Sequence, residues 1–192
     1  MKRSLLLLCG LLIFISAATA PAQVTVVKSA RDRNPRIRFR GVTGDQALSQ
    51  AVLDDLRNCG WFEVTTDTAD YQLGGTAANG GLRLDLYSGA GAQLQTVQTA
   101  GAGDPRWTSH RAVDALLQRL FKIKGICSSR IAFSATTGRA AKEIFVCDYD
   151  GRNPRAVTRN GRLSVEAEWS PGGRRLLYTR YTQSTTDVVE YD

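Results

Sequence analysis

The sequence predicts an α+β domain with a mixed sheet and two helices, followed by the opening of an all-β unit. Three observations carry that reading. Two stretches place apolar residues at three- and four-residue spacing, short β-prone runs lie around and between them, and a strand pattern near the C-terminus occurs twice. Arg130-Ile-Ala-Phe-Ser and Glu143-Ile-Phe-Val-Cys-Asp-Tyr-Asp-Gly return as Arg175-Leu-Leu-Tyr-Thr and Asp187-Val-Val-Glu-Tyr-Asp. Arg175 lies 45 positions after Arg130, and Asp187 lies 44 after Glu143. A period of about 40–45 residues built from short strands is that of a β-propeller blade. Residues 130–192 thus read as the first one to one-and-a-half blades of an incomplete propeller, because such folds close rings of about 4–8 blades.

The elements follow in order. Lys2 and Arg3 precede an apolar run from Leu5 to Ile15 and then small residues, the pattern of a secretory signal peptide over 1–22. The run is too short to span a bilayer comfortably. Of the two small-x-small sites, Ala18-Thr-Ala20 would leave Pro21 first, so cleavage after Ala22 is expected, with Gln23 as the mature N-terminus. An exported, soluble product without stable membrane insertion is expected. The formal charge of +7 falls to +5 once Lys2 and Arg3 are removed. Export argues against nucleic acid as a partner and turns the basic bias toward acidic proteins or envelope surfaces.

Gln23-Val-Thr-Val-Val-Lys28 is a β-branched run, joined by the polar segment 29–34 to Pro35-Arg-Ile-Arg-Phe-Arg40. In the latter, Ile37 and Phe39 share one side, and Arg36, Arg38 and Arg40 read as the solvated face of an edge strand. Asp45 can cap a helix whose apolar stripe is Ala47, Leu48, Ala51, Val52, Leu56 and Cys59, with Gly60 just past its end. Strands are predicted at 61–65, 71–76, 82–87 and 93–99, with Gly-rich turns between the later ones. A second helix opens near Pro105 and carries Val113, Leu116, Leu117, Leu120 and Phe121 on one face. The α+β domain therefore spans 23–123, residues 124–129 form a linker, and the propeller strands begin at Arg130.

Candidate chemistry is sparse. His110 follows Ser109 directly on the second helix, with Asp114 four residues later, and adjacent helix positions point to different faces, so a surface helix is expected rather than a triad. Asp148-Tyr-Asp150-Gly resembles the start of a calcium loop, but Arg152 and Arg159 stand where oxygen ligands are needed. One histidine and the scattered Cys59, Cys127 and Cys147 make no zinc pattern. The Gly-rich turns lack the lysine and helix start of a phosphate loop. No cofactor, metal or catalytic residue is expected. In an oxidising compartment Cys127 and Cys147 are the pair to bridge, with three buried thiols as the alternative.

Asp55-Leu-Arg-Asn-Cys-Gly60-Trp-Phe, Ile123-Lys-Gly before Arg130-Ile-Ala-Phe, Val146-Cys-Asp-Tyr-Asp-Gly151 and Trp169-Ser-Pro-Gly-Gly-Arg occur in one order behind a signal peptide. In that order they resemble the TolB family, periplasmic components of the Tol-Pal systems of Gram-negative bacteria. The resemblance covers essentially the whole chain but about the first third of a usual family member, so a fragment of a longer product is expected. It implies a non-catalytic scaffold with an N-terminal α+β domain and a six-bladed propeller. The propeller would bind a peptidoglycan-associated lipoprotein through residues beyond this chain. The N-terminal strand, Gln23, Val24, Thr25, Val26, Val27 and Lys28, would bind the periplasmic end of a TolA-like inner-membrane protein, and some colicins would use the same system. From the residues alone, that strand can equally pair within its own sheet. One departure is Gly172, where the family's turn carries aspartate. An alternative is the N-terminal part of another exported propeller protein, such as a peptidase whose hydrolase domain follows the blades.

Overall fold

Local capping sets the two helices where the stripes predict them. The computed structural model describes residues 33–192. The signal segment 1–22 and the strand Gln23–Lys28 lie outside the described residues. After β1 (Arg36–Thr43), Asp45 accepts from the Leu48 N–H at 3.0 Å and starts α1 (Gln46–Asn58). Gly60 follows the cap residue Cys59 with φ +74°, the left-handed turn that glycine makes without strain. Asp104 caps α2 (Pro105–Phe121) by accepting from the Arg106 N–H at 2.8 Å, and Lys122 ends it in the left-handed region.

Between the helices run β2 (Glu63–Val64), β3 (Tyr71–Ala78), β4 (Gly81–Ser88) and β5 (Gln93–Thr99). The sheet order is β2-β1-β3-β4-β5. β1 is parallel to β2 and β3, while β3, β4 and β5 are antiparallel hairpin neighbours, so the sheet is mixed as expected. Leu82, Leu84 and Leu86 alternate to one face and meet Leu116, Leu117 and Leu120 of α2 and Val52 and Leu56 of α1 in a single core. Each such fully buried leucine contributes about 2 kcal/mol of apolar transfer.

Two expectations change here. β1 is not an edge strand, since β2 lies outside it; its arginines are nonetheless on the polar face, where Arg36 pairs with Glu63 at 3.7 Å. The strand predicted over 61–65 shrinks to two residues because its aromatic start is drawn into the helix layer. Trp61 and Phe62 pack on Phe121 with ring centroids 5.1 and 5.5 Å apart.

The second unit is all β: β6 (Arg130–Gly138), β7 (Ala141–Asp148), β8 (Arg155–Ala156), β9 (Leu163–Trp169), β10 (Leu176–Tyr181) and β11 (Thr186–Tyr191). They form one open sheet, ordered β11-β10-β9-β7-β6, with β8 paired to β7. The repeat appears as two equivalent antiparallel hairpins, β6–β7 and β10–β11. This is the start of a propeller, not a closed ring. At the turn before β10, Ser170 Oγ accepts from the Arg175 N–H at 3.1 Å.

Candidate functional site

The sequence places a partner-binding site on Gln23, Val24, Thr25, Val26, Val27 and Lys28, which lie outside the described residues. β2 covers only Arg36 and Ile37 of β1, so among the described residues no strand lies on the outer side of the rest of that edge.

The densest polar chemistry lies elsewhere, at the junction of the two units. α1 packs against α2 and presents Asp55, which is 1% exposed, to the helix interface. Its carboxylate accepts from Ser109 Oγ at 2.6 Å and from Tyr149 Oη at 2.6 Å, and both of its oxygens lie 2.9 Å from His110 Nδ1. Ser109 and His110 were expected on a surface; both are buried instead. α2 is covered on that side by α1 and by the turn after β7, so a polar pair is tolerated only because Asp55 satisfies it. Adjacent helix residues can both reach one carboxylate when it approaches from the neighbouring helix.

A serine, a histidine and an aspartate therefore meet, but not in the order that hydrolysis needs. In a triad the histidine bridges nucleophile and carboxylate; here serine and histidine bind the same carboxylate side by side. Ser109 is fully buried, out of reach of a substrate. The arrangement is a clasp between units.

Further contacts tie the same junction. Arg106 pairs with Asp150, Arg130 lies over Trp107 with 5.3 Å to the ring centre, and His110 meets Tyr149 edge-on at 5.1 Å. Asp114 on α2 accepts from the Cys127 N–H at 2.9 Å and the Ser128 N–H at 2.8 Å, anchoring the linker. Gly125 is required there, because a Cβ would stand 2.0 Å from the Asp114 carboxylate. Beside the linker opens a cleft of about 710 Å³ lined by Trp107, Asp114, Lys124, Arg130 and Trp169.

Burial, then the Asp55 hydrogen bond, pushes the Tyr149 phenol far above its usual range. Burial likewise raises the Cys127 thiol. Burial works to raise the Asp150 carboxyl, but the hydrogen bonds from Arg106 and the Arg152 N–H outweigh it and hold it low. Cys59, Cys127 and Cys147 are all free and buried, so the three-thiol alternative is the one found and Cys127 and Cys147 are not bridged. A ring nitrogen of His110 and one oxygen each of Asp148 and Asp150 lie within 4.8 Å of one another. Sequence spacing does not show this group, because the histidine and the aspartates belong to different units. Among the described residues no helix is long and apolar enough to cross a membrane.

Comparison with known proteins gives a consistent answer. No family model matches the chain. The Tol-Pal system protein TolB of Thiobacillus denitrificans is 30% identical over 88% of this chain and 47% of its own length. That of Actinobacillus succinogenes is 26% identical over 98% of this chain and 53% of its own. That of Desulfosudis oleivorans reaches 38% over 44% of this chain and 19% of its own. Among solved structures, TolB from Acinetobacter baumannii superposes with a TM-score of 0.67 at 21% identity, over 84% of this chain and 51% of that one. At that identity the superposition speaks for the fold. The chain spans about half, or less, of the length of these relatives. Over that span, through the α+β unit and the first strands of the propeller, the chain is similar in sequence and in fold to Tol-Pal system TolB proteins.

Proposed function

We propose that the chain is a non-catalytic periplasmic scaffold of a Tol-Pal system. It would link a TolA-like inner-membrane protein to a peptidoglycan-associated lipoprotein, in support of envelope integrity and outer-membrane constriction at division. The observation that carries the reading is the similarity to TolB proteins running through both units in one order. The side-by-side seating of Ser109 and His110 on Asp55 favours a structural role for the chain's one histidine.

In this reading residues 23–28 form the TolA-like contact by strand addition. Main-chain hydrogen bonds would supply affinity, and alternate side chains specificity. The lipoprotein surface would lie in the part of the relatives that this chain does not span, and colicins would compete for the same surfaces. The test is a calorimetric titration of the periplasmic domain of the same bacterium's TolA-like protein into the chain beginning at Gln23. Saturable one-to-one binding supports the scaffold; absence of heat and of co-elution at high micromolar concentration contradicts it.

A further inference from the structure

A buried ring nitrogen without a partner lies beside two carboxylates where α2 meets the turn after β7. His110 is 1% exposed, and its Nδ1 faces the Asp55 carboxylate at 2.9 Å. That carboxylate acts as acceptor toward Ser109 and Tyr149, so it draws the ring proton onto Nδ1 as well. In the neutral ring the opposite nitrogen, Nε2, then carries a lone pair, and it is buried with no hydrogen-bond partner among the described residues. Close by stand Asp148 and Asp150, each with an oxygen inside the 4.8 Å group. Asp148 uses Oδ2 to accept from Asn153 at 2.7 Å, leaving Oδ1 available. Asp150 accepts from the Arg152 N–H at 3.1 Å and from Arg106.

A lone pair buried beside two carboxylates is unfavourable unless a proton or a metal cation stands between them. The charge balance points the same way. Asp55, Asp148 and Asp150 bring three negative charges, and among the described residues Arg106 is the one guanidinium bonded to them, with the Arg152 guanidinium drawn off toward Asp54 at 3.6 Å. The remainder is two negative charges, the complement of one divalent ion.

We propose that His110, Asp148 and Asp150 form a divalent-metal site, with Zn2+ as its ion. One imidazole nitrogen and carboxylate oxygens suit zinc, which binds them at about 2.0–2.2 Å. Asp55 supplies the outer carboxylate that orients a ligating histidine through its other nitrogen. His110 sits on α2 of the first unit and the aspartates follow β7 of the second, so the ion is structural and staples the units together.

The experiment strips the full chain with chelator, then titrates it with Zn2+ and separately with Co2+. One equivalent of zinc per chain retained through dialysis, visible Co2+ absorption bands, and a higher melting temperature with zinc are expected. Asp148→Asn should weaken zinc binding at least tenfold with unchanged circular dichroism, and His110→Gln should do the same. Failure of the folded wild type to take up either metal overturns the site. Equal uptake by Asp148→Asn also overturns it, by assigning the ion to thiols or the surface. A 15N spectrum showing both His110 ring nitrogens protonated, without metal uptake, gives the place to a proton instead.

Discussion

Asp55 holds the Ser109 and Tyr149 hydroxyls and the His110 ring together inside the junction. Truncating it to alanine leaves three buried polar groups without an acceptor, each costing about 1 kcal/mol or more. Asp55→Ala is therefore expected to lose about 3 kcal/mol or more in urea unfolding, whereas Arg57→Ala on the exposed side of α1 should change little. Tyr149 gives a second check. Its folded pKa is raised, so its contribution is complete below the ordinary phenol value of about 10 and is lost as pH rises beyond that. Absorbance at 295 nm should show one tyrosine ionising only as the fold opens in base, a step missing in Tyr149→Phe. Gly172 is open to improvement. Nothing lies within 4 Å of a Cβ added there and its φ is not left-handed, so Gly172→Asp should stabilise by about 0.5 kcal/mol in the same urea assay.

At the scale of elements, most of the architecture was legible because the signals are local. Asp45, Gly60 and Pro105 mark helix ends within a turn of where they act, and the strand predicted at 93–99 has the observed bounds. The junction was not legible. Asp55 lies 54 positions from Ser109, 55 from His110 and 94 from Tyr149, and no pattern within one helix says that a neighbouring helix will supply the acceptor. Some aromatic residues of the second unit are packed within it. Phe133 stacks on Phe145 at 5.8 Å, and Tyr178 is buried. Its outer hairpin still exposes Leu177, Tyr181, Val188 and Tyr191. Hydrogen exchange should therefore find β10 and β11 opening well before α1, α2 and β4. Equal protection throughout would show that the second sheet is as well supported as the first.

For the whole molecule, the two units divide the work. The α+β unit has a closed core of its own, and the open sheet is fastened to it through α2, the linker and the Asp55 clasp. The core of the α+β unit is built from residues of the helices and of β1, β3, β4 and β5, so removal of residues 23–28 is expected to leave the fold in place. The decisive measurement is the affinity of the TolA-like periplasmic domain for the chain with and without Gln23–Lys28, with circular dichroism as the folding control. Loss of binding in the folded deletion is expected, with nearly the same loss for Val26→Pro, which removes a ladder donor, and little change for Lys28→Ala. Undiminished binding by the folded deletion would contradict the strand as the partner site and move the contact onto the α+β unit itself.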